Sequence, residues 1–385
     1  MGKLSKEFLQ SLFLSGKSKF QNLQASIKSG LWCNRLSQFL NLVNYTLNAL
    51  QHPDMLNYGP FYLHMTPAEV HPLVPQSLLE LPSNGSGSPL NLPSQRVNLS
   101  SFRFLLDQLP SILCIEFSGK AHDPFEHPDL LQMVDYAFHY NGAESLIHTD
   151  GLRLDEFTDA ILKSKLRTLV INLIAHRPSS YGLLSGQPFA LFVTILENVK
   201  VLLHRRRSCR SKLSVELRMT IDLHNYHEIP AMIYFAKDLG VNALHLDNYL
   251  PRDITMKSDR SLYRHQPDMV KYFREIEQVY SSESGFKVYL PKLLEPDMSN
   301  YRHCRDAYNT VSVDSEFNVS ACSQHQLLYG SLGKIWDEDF FNNPMYQWLR
   351  AVFSSNTDPA FAPEVPLACQ VCPRNTPMLG STHKG

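Results

Sequence analysis

Cysteine is scarce in this chain, at seven of 385 residues, and the number is odd. Three cysteines are scattered (Cys33, Cys114 and Cys209), and the other four fall in the last quarter. This distribution excludes a disulfide-stapled scaffold. It indicates a reduced, cytoplasmic protein with one thiolate site.

Long apolar runs and an excess of charge are also missing. No apolar run approaches the roughly 18 residues of a membrane-spanning helix, so we expect no membrane span. Lysine plus arginine (36) nearly balance aspartate plus glutamate (37), so we expect no nucleic-acid partner. No glycine-rich phosphate loop and no serine elbow motif occurs, which leaves the common nucleotide-binding and hydrolase signatures without support.

Helical and strand patterns alternate along the middle of the chain. From residue 99 on, helical segments are followed by short aliphatic strands such as "RTLVINLIA" (167–175) and "LSVELRMTI" (213–221). This alternation predicts an α/β fold in which helices cover a parallel sheet. Six such units predict an open or partial (β/α)₆ barrel, whose ligands lie at the C-terminal ends of the strands.

Four segments follow from these patterns. Residues 1–58 are predicted to be an N-terminal helical segment, and residues 59–290 the partial barrel. The alternation breaks from residue 286 on, and residues 291–375 are predicted to form a small C-terminal α+β domain that contains four of the cysteines. Residues 376–385 are predicted to be a tail.

The stretch "PLACQVCPRN" (366–375) indicates a metal site. Two cysteines two residues apart, Cys369 and Cys372, supply two of the four ligands that such a metal needs. Four thiolates suit zinc and an iron–sulfur cluster equally on sequence grounds, so a zinc ribbon stays open. A redox-active pair is a further alternative, but no thioredoxin-like pattern surrounds it.

The order of these elements resembles the radical S-adenosylmethionine (SAM) superfamily, specifically its members with a C-terminal SPASM or twitch domain. The segment "FSGKAHDPFEHPDLLQMVDYAFHYNGAESLIHTDG" (117–151) resembles that family's strand, Gly-x-Gly-Glu-Pro-like turn, helix, and strand ending in Thr-Asn-Gly. The segment "CRDAYNTVSVDSEFNVSAC" (304–322), followed by a Leu-Gly loop, a helix and Cys-x-x-Cys, is similar to the twitch/SPASM pattern. The resemblance implies a radical-SAM-like barrel with a SPASM/twitch iron–sulfur domain at residues 291–375.

The same resemblance implies the missing metal ligands. It places Cys304 and Cys322 beside Cys369 and Cys372 around one 4Fe-4S cluster, with zinc as the alternative metal. We therefore expect these four cysteines to share one site.

The chain departs from the family where SAM is cleaved. A radical SAM enzyme needs the motif C-x₃-C-x₂-C after the first strand, where three thiolates leave one iron open for SAM. Laid on this chain, the motif falls on Pro67, His71 and Val74, none of which is a cysteine. We therefore expect no cluster in the barrel, and SAM binding that is weak or absent.

Two aspartates mark a vestigial SAM pocket in this comparison. Asp123 stands in the turn where the family has Gly-Glu-Pro, and it could still accept a hydrogen bond from an ammonium group. Asp150 replaces the asparagine of Thr-Asn-Gly and therefore lacks its amide donor. The segment "DLHNYHE" (222–228) could bind a divalent metal, but a helix start capped by Glu228 is the favoured interpretation.

Two hypotheses about function follow. In the first, the chain is a pseudoenzyme that binds a protein or peptide partner, or relays electrons, beside an active radical SAM enzyme in peptide or natural-product modification. In the second, it is an enzyme of this family that uses a non-standard site. A zinc-stabilised binding protein is the further alternative.

Overall fold

The computed structural model describes residues 38, 41, 59–70, 94–119, 122–249, 260–263, 266, 268–280, 285–291, 293–294, 304–322, 333–353, 363–370 and 372. Almost all of the predicted N-terminal helical segment (1–58) lies outside these residues, as does the predicted tail (376–385). Both assignments stay predictions.

Nine of the eleven strands in the described residues form one sheet, in the order β11-β10-β1-β4-β5-β6-β7-β8-β9, and β2 pairs with β3 in a separate hairpin. The strands are β1 (Tyr62–Met65), β2 (Ala68–Val70), β3 (Ser94–Arg96), β4 (Cys114–Phe117), β5 (Glu144–Thr149), β6 (Thr168–Ile174), β7 (Ser214–Ile221), β8 (Ala243–Asn248), β9 (Lys287–Tyr289), β10 (Thr310–Val313) and β11 (Val319–Ser320). All neighbours in the large sheet are parallel except β10 and β11.

Helices connect the parallel strands, as crossover connections require. The helices are α1 (Leu99–Gln108), α2 (Leu130–Asn141), α3 (Leu154–Lys163), α4 (Pro178–Ser185), α5 (Phe189–Ser208), α6 (Ile229–Leu239), α7 (Met269–Tyr280), α8 (Asp306–Asn309), α9 (Pro344–Phe353) and α10 (Leu367–Gln370). Asn98 caps α1 by accepting a hydrogen bond from the Ser101 amide at 2.9 Å. Gly142 ends α2 with φ at 73°, a left-handed conformation that suits glycine.

One face of the large sheet packs into the hydrophobic core. Because side chains alternate along a strand, Leu63 and Met65 of β1 share this face with Ile115 and Phe117 of β4, and all four are fully buried. The Phe117 ring lies 5.9 Å from the ring of Phe102 in α1. Each such buried side chain stabilises the fold by about 1.5 to 3 kcal/mol, so this face joins sheet and helices firmly.

The prediction of an α/β fold with the parallel sheet of a partial (β/α)₆ barrel is confirmed. In the described part of the chain the sheet is open, with β11 and β9 as its edges. The cysteine-containing hairpin region extends the same sheet, because β10 pairs in parallel with β1, with Tyr62 opposite Thr310. The boundary between residues 290 and 291 stays a prediction.

The described helices are short or polar in comparison with membrane spans. No single one of them is long and apolar enough to cross a bilayer. Helices α4 and α5 taken together could span a membrane by length and composition only, and the chain bends by 117° at the break between them.

A buried arginine joins the C-terminal elements to one another. The guanidinium of Arg350 in α9 is fully buried and donates to the Ala307 carbonyl at 3.0 Å, to Asn342 Oδ1 at 2.9 Å and to the Phe341 carbonyl. Its Cζ atom lies 4.8 Å from the Phe341 ring centre and 5.5 Å from that of Tyr346. Arg350 of α9 is therefore hydrogen-bonded both to α8 and to the turn before α9.

We expect Arg350→Met to destabilise the protein by about 3 kcal/mol, because it leaves two buried carbonyls without donors. Urea unfolding followed by circular dichroism measures this change. The matched control is Arg205→Met, which removes an exposed arginine paired with exposed Asp159 and should change stability by less than about 0.5 kcal/mol. Equal losses in the two variants would contradict the structural role given to Arg350.

Candidate functional site

The face of the sheet opposite the aliphatic core is polar. His64 of β1 lies in register with Glu116 of β4 on one side and with Ser312 of β10 on the other. Residues in register on parallel strands point to the same face, so these side chains meet. The polar face, as we call it, is lined by Tyr62, His64, Glu116, His148, Glu216, Arg218, His245 and Asp247.

Glu116 lies between two imidazoles at the centre of β1, β4 and β5. Its Oε1 atom is 3.3 Å from His148 Nε2 and 3.7 Å from His64 Nε2, and its other oxygen accepts a hydrogen bond from the Tyr62 hydroxyl. Burial alone raises the pKa of Glu116, but the His148 and Tyr62 hydrogen bonds and the nearby histidine charges outweigh it. The pKa of Glu116 is therefore far below its ordinary range, and the side chain is an ionised carboxylate at neutral pH.

His64 also contacts two hydroxyl groups. Its Nε2 atom lies 2.7 Å from Ser118 Oγ, and its Nδ1 atom lies 3.2 Å from Ser312 Oγ. Ser118 directly follows β4, at the C-terminal end where parallel sheets place their ligands. The imidazole is thus fixed from both sides.

A second polar group lies on β7 and β8. His245 Nε2 is 2.7 Å from Glu216 Oε2, the Ser214 hydroxyl donates to Glu216 Oε1 at 2.8 Å, and Arg218 pairs with Asp247. Burial raises the pKa of Glu216, but its hydrogen bonds with His245 and Ser214 lower it further than burial raises it. Charge is therefore balanced locally along the polar face.

Sequence reasoning missed the polar face because it treated the strands as aliphatic throughout. A polar residue alternates with apolar ones in "YLHM" (62–65), "CIEF" (114–117) and "ALHLDN" (243–248). That period of two is the signal for a strand with one polar face, and it could have identified Glu116 and its neighbours.

The two aspartates of the predicted vestigial pocket lie together at the ends of β4 and β5. Asp123 Oδ1 accepts from the Phe125 amide at 2.9 Å and so caps the 3₁₀ turn Pro124–Glu126. Asp123 Oδ2 accepts from Thr149 Oγ1 at 2.7 Å and from the Asp150 amide at 2.8 Å. The Asp123 carboxylate is thus engaged by the protein itself, and its predicted role towards SAM stays a prediction.

Both carboxyl groups have a raised pKa, and the charge of Asp123 contributes to the raised pKa of Asp150. Burial, above all, raises the pKa of Asp123. Burial and the neighbouring charge of Asp123 raise the pKa of Asp150 to about 7. One proton is therefore held between the two groups up to about neutral pH.

The loop that should hold the barrel cluster begins at Pro67. Its carbonyl accepts a hydrogen bond from the Val97 amide at 3.1 Å, next to the β2–β3 hairpin. His71 and Val74, the other two motif positions, lie outside the described residues. The sequence has no cysteine between Cys33 and Cys114, so no thiolate is available in this loop.

The four C-terminal cysteines are thiols outside any disulfide, and all four are half-buried. Burial raises the pKa of Cys304, and Asp306, Cys372 and Cys322 raise it further. Burial likewise raises the pKa of Cys369, with Cys372 and Cys322 adding to the effect. Cys322 and Cys372 thus lie close enough to Cys304 and to Cys369 to raise the pKa of both thiols.

This donor set fits a thiolate-bound metal group. Buried thiols with a raised pKa lose their protons readily when a bound cation compensates the charge of the thiolates. Within the described residues, however, no group of three or more His, Cys, Asp or Glu side chains is arranged to hold a single metal ion. The cluster ligands Cys304, Cys322, Cys369 and Cys372 therefore stay a prediction.

The two carboxylates of the segment 222–228 have structural roles. Asp222 is fully buried, forms an ion pair with Arg260, and accepts from the His224 amide at 2.8 Å. Glu228 pairs with Arg177 instead of capping the turn that begins at residue 226, so the expected capping role of Glu228 is wrong. Each carboxylate is thus paired with an arginine, which supplies its counter-charge.

The fold is similar to that of several solved structures. Streptococcus suis SuiB bound to S-adenosylmethionine matches with a TM-score of 0.56 and 13% identity, covering 90% of this chain and 80% of that chain. SuiB bound to precursor peptide SuiA matches with a TM-score of 0.56 and 13% identity, over 89% and 80%. Histidine-tagged anSMEcpe with bound AdoMet matches with a TM-score of 0.50 and 10% identity, over 82% and 92%.

These neighbours are radical SAM enzymes, and the chain accordingly has a radical-SAM-like fold, as the resemblance implied. At these identities the likeness concerns the fold alone. No family model matches the chain, and no curated protein matches it.

We expect Asp150→Asn to stabilise the protein by about 2 kcal/mol at pH 8. The folded pKa of Asp150, about 7, lies above its ordinary value of 3.8, so ionisation costs the folded state stability as pH rises from about 4 to about 7. The asparagine amide keeps a donor towards Asp123 without the charge. Urea unfolding at pH 4, 6 and 8 measures the gain, which should be absent at pH 4 and complete at pH 8.

The control for this prediction is Asp155→Asn, an exposed aspartate in the first turn of α3. It should not reproduce the pH-dependent gain. A gain for Asp150→Asn that is the same at all three pH values would contradict the charge repulsion between Asp123 and Asp150.

Proposed function

We propose that this chain is a radical-SAM-like pseudoenzyme: it does not cleave SAM by itself, and it binds a peptide or protein partner. One observation carries the proposal. The chain has no cysteine from residue 34 to residue 113, the interval that contains the loop after β1, whereas an open-iron cluster needs three thiolates there. Without that iron, SAM has neither its chelating partner nor its electron donor.

The four C-terminal cysteines support an auxiliary-type cluster in this proposal. Cys304, Cys322, Cys369 and Cys372 would hold one 4Fe-4S cluster, which would supply electron transfer or structural stability. The effect of Cys322 and Cys372 on the pKa of Cys304 and Cys369, together with the half-buried positions of all four, supports a shared site. Zinc is the alternative metal for the same four thiols.

A peptide is the partner class that the comparisons favour. One neighbour is SuiB bound to precursor peptide SuiA, and another is anSMEcpe with bound AdoMet and the Cp18Cys peptide. The polar face offers paired charges and histidines to such a ligand. An active radical SAM enzyme that shares the peptide is the second partner of this proposal.

We expect no 5′-deoxyadenosine or methionine above the blank when anaerobically reconstituted protein is incubated with SAM and a strong reductant. The reason is the missing thiolate trio in the loop after β1. Liquid chromatography with mass detection measures both products, and a radical SAM enzyme with an intact motif serves as positive control. Turnover of SAM by this chain alone would overturn the pseudoenzyme proposal.

We expect about four irons and four sulfides per chain after anaerobic reconstitution, and little zinc. Cys322→Ser should lose most of this iron, because it removes one of the four ligands. The matched control is Cys209→Ser, which changes an exposed thiol outside the group and should keep full iron content. Stoichiometric zinc without iron would favour a zinc-stabilised binding protein instead.

A further inference from the structure

Ser118, His64 and Ser312 form a line of hydrogen bonds across three strands. Ser118 Oγ lies 2.7 Å from His64 Nε2, and His64 Nδ1 lies 3.2 Å from Ser312 Oγ. A hydroxyl within hydrogen-bond reach of a base that a third group orients is the geometric signature of an activated nucleophile. Ser118 is 54 positions and Ser312 is 248 positions from His64 along the chain, so it is the sheet that brings the three residues together.

The charge around His64 suits a base. The titratable groups that face it are Glu116, whose Oε1 atom lies 3.7 Å from His64 Nε2, and Tyr62 and His148, which both contact the Glu116 carboxylate. An ionised carboxylate at that distance stabilises the imidazolium that forms when His64 takes a proton. The same carboxylate therefore favours proton transfer from Ser118.

The residue after Ser118 supplies a backbone donor. The Gly119 amide has no acceptor among the described residues, and a Cβ atom at this position would lie 1.6 Å from the His122 carbonyl oxygen. Only glycine therefore fits the close return of the loop here. In serine hydrolases the amide that follows the nucleophile often stabilises the oxyanion, so Gly119 is placed for that task.

Ser118 can also be reached by a ligand. It is half-buried and lies just past the C-terminal end of β4, next to the polar face. His64 behind it is 6% exposed, so the base is shielded while the hydroxyl is not. This arrangement places the nucleophile between the ligand and its base.

We propose that Ser118 is a nucleophile that accepts an acyl group from an activated ester or thioester, with His64 as its general base. Ser118 Oγ bonds to the carbonyl carbon, and its proton passes to His64 Nε2. The bond from that carbon to the leaving oxygen or sulfur then breaks, and the leaving group takes the proton from His64. Water then bonds to the acyl carbon and gives its proton to His64 Nε2, the bond from that carbon to Ser118 Oγ breaks, and Ser118 Oγ takes the proton from His64. No oxidant, reductant or metal takes part.

Acyl transfer at Ser118 goes beyond the proposed function and does not depend on it. SAM cleavage and cluster content concern the loop after β1 and the four C-terminal cysteines, whereas acyl transfer concerns Ser118 and His64. The two can fail separately.

A fluorophosphonate probe on the full-length protein tests the assignment. The serine oxygen displaces fluoride from phosphorus, and peptide mapping by mass spectrometry locates the adduct. We expect labelling at Ser118 and its loss in Ser118→Ala, with unchanged labelling in Ser100→Ala, an exposed serine in α1. Circular dichroism of each variant establishes that it is folded.

The base is tested by the rate of labelling. His64→Gln should slow it at least about 100-fold, because general-base catalysis contributes about 10² to 10⁴. The wild-type rate should rise with pH through one imidazole titration, and this dependence should be absent in His64→Gln. Ser312→Ala should slow labelling about tenfold and shift the midpoint of the pH profile, since it loosens the imidazole without removing it.

Two results would overturn the assignment. The first is no adduct at Ser118 under conditions in which a serine protease control is fully labelled. The second is a folded His64→Gln variant that is labelled at the wild-type rate, which would show that the 2.7 Å contact is only structural.

Discussion

When a carboxylate is buried, the protein must supply the hydrogen bonds and positive charge that water would otherwise provide. Glu116, at the centre of β1, β4 and β5, is such a carboxylate. Two histidines and a tyrosine on the two neighbouring strands supply these contacts. His148 Nε2 lies 3.3 Å and His64 Nε2 lies 3.7 Å from Glu116 Oε1. This compensation depends on the register of β1, β4 and β5, which brings these side chains to one face of the sheet. A fold that keeps this cluster has to keep the strands in this order.

The same constraint bears on the proposal that SAM binds weakly or not at all at the strand ends. The oxygens of Asp123 already accept from Phe125, Thr149 and the Asp150 amide, so an incoming ammonium group would compete with internal donors. Asp150 adds a second carboxyl group where charge repulsion is costly. The loop after β1 contains no cysteine, and this is the observation on which the proposed loss of SAM cleavage depends. The chemistry that we propose for Ser118 and His64 is of a different kind.

Local sequence patterns were sufficient to predict the central strands of the sheet. They were not sufficient to predict contacts between residues that are far apart along the chain. The alternation of helices and aliphatic strands predicts β4 to β8 because each unit is specified by its own periodicity. The pairing of β10 with β1 joins residues that are about 250 positions apart, and no pattern within either strand predicts it. The pair Asp123 and Asp150 was found through a resemblance, whereas the cluster around Glu116 was missed because single polar residues in apolar strands were not counted by face. The hydrogen bond of Ser118 to His64 depends on that register and has no sequence motif.

The measurement that tests this account most directly is calorimetric titration of SAM into the anaerobically reconstituted protein. The account predicts a dissociation constant weaker than about 1 mM, since SAM would find no open iron and an already satisfied Asp123. A radical SAM enzyme with its cysteine trio, measured in the same buffer, establishes that intact SAM gives a signal. Binding to this chain with one-to-one stoichiometry and a micromolar dissociation constant would contradict the account, because it would require a SAM site that the Asp123 turn and the cysteine-free loop do not supply.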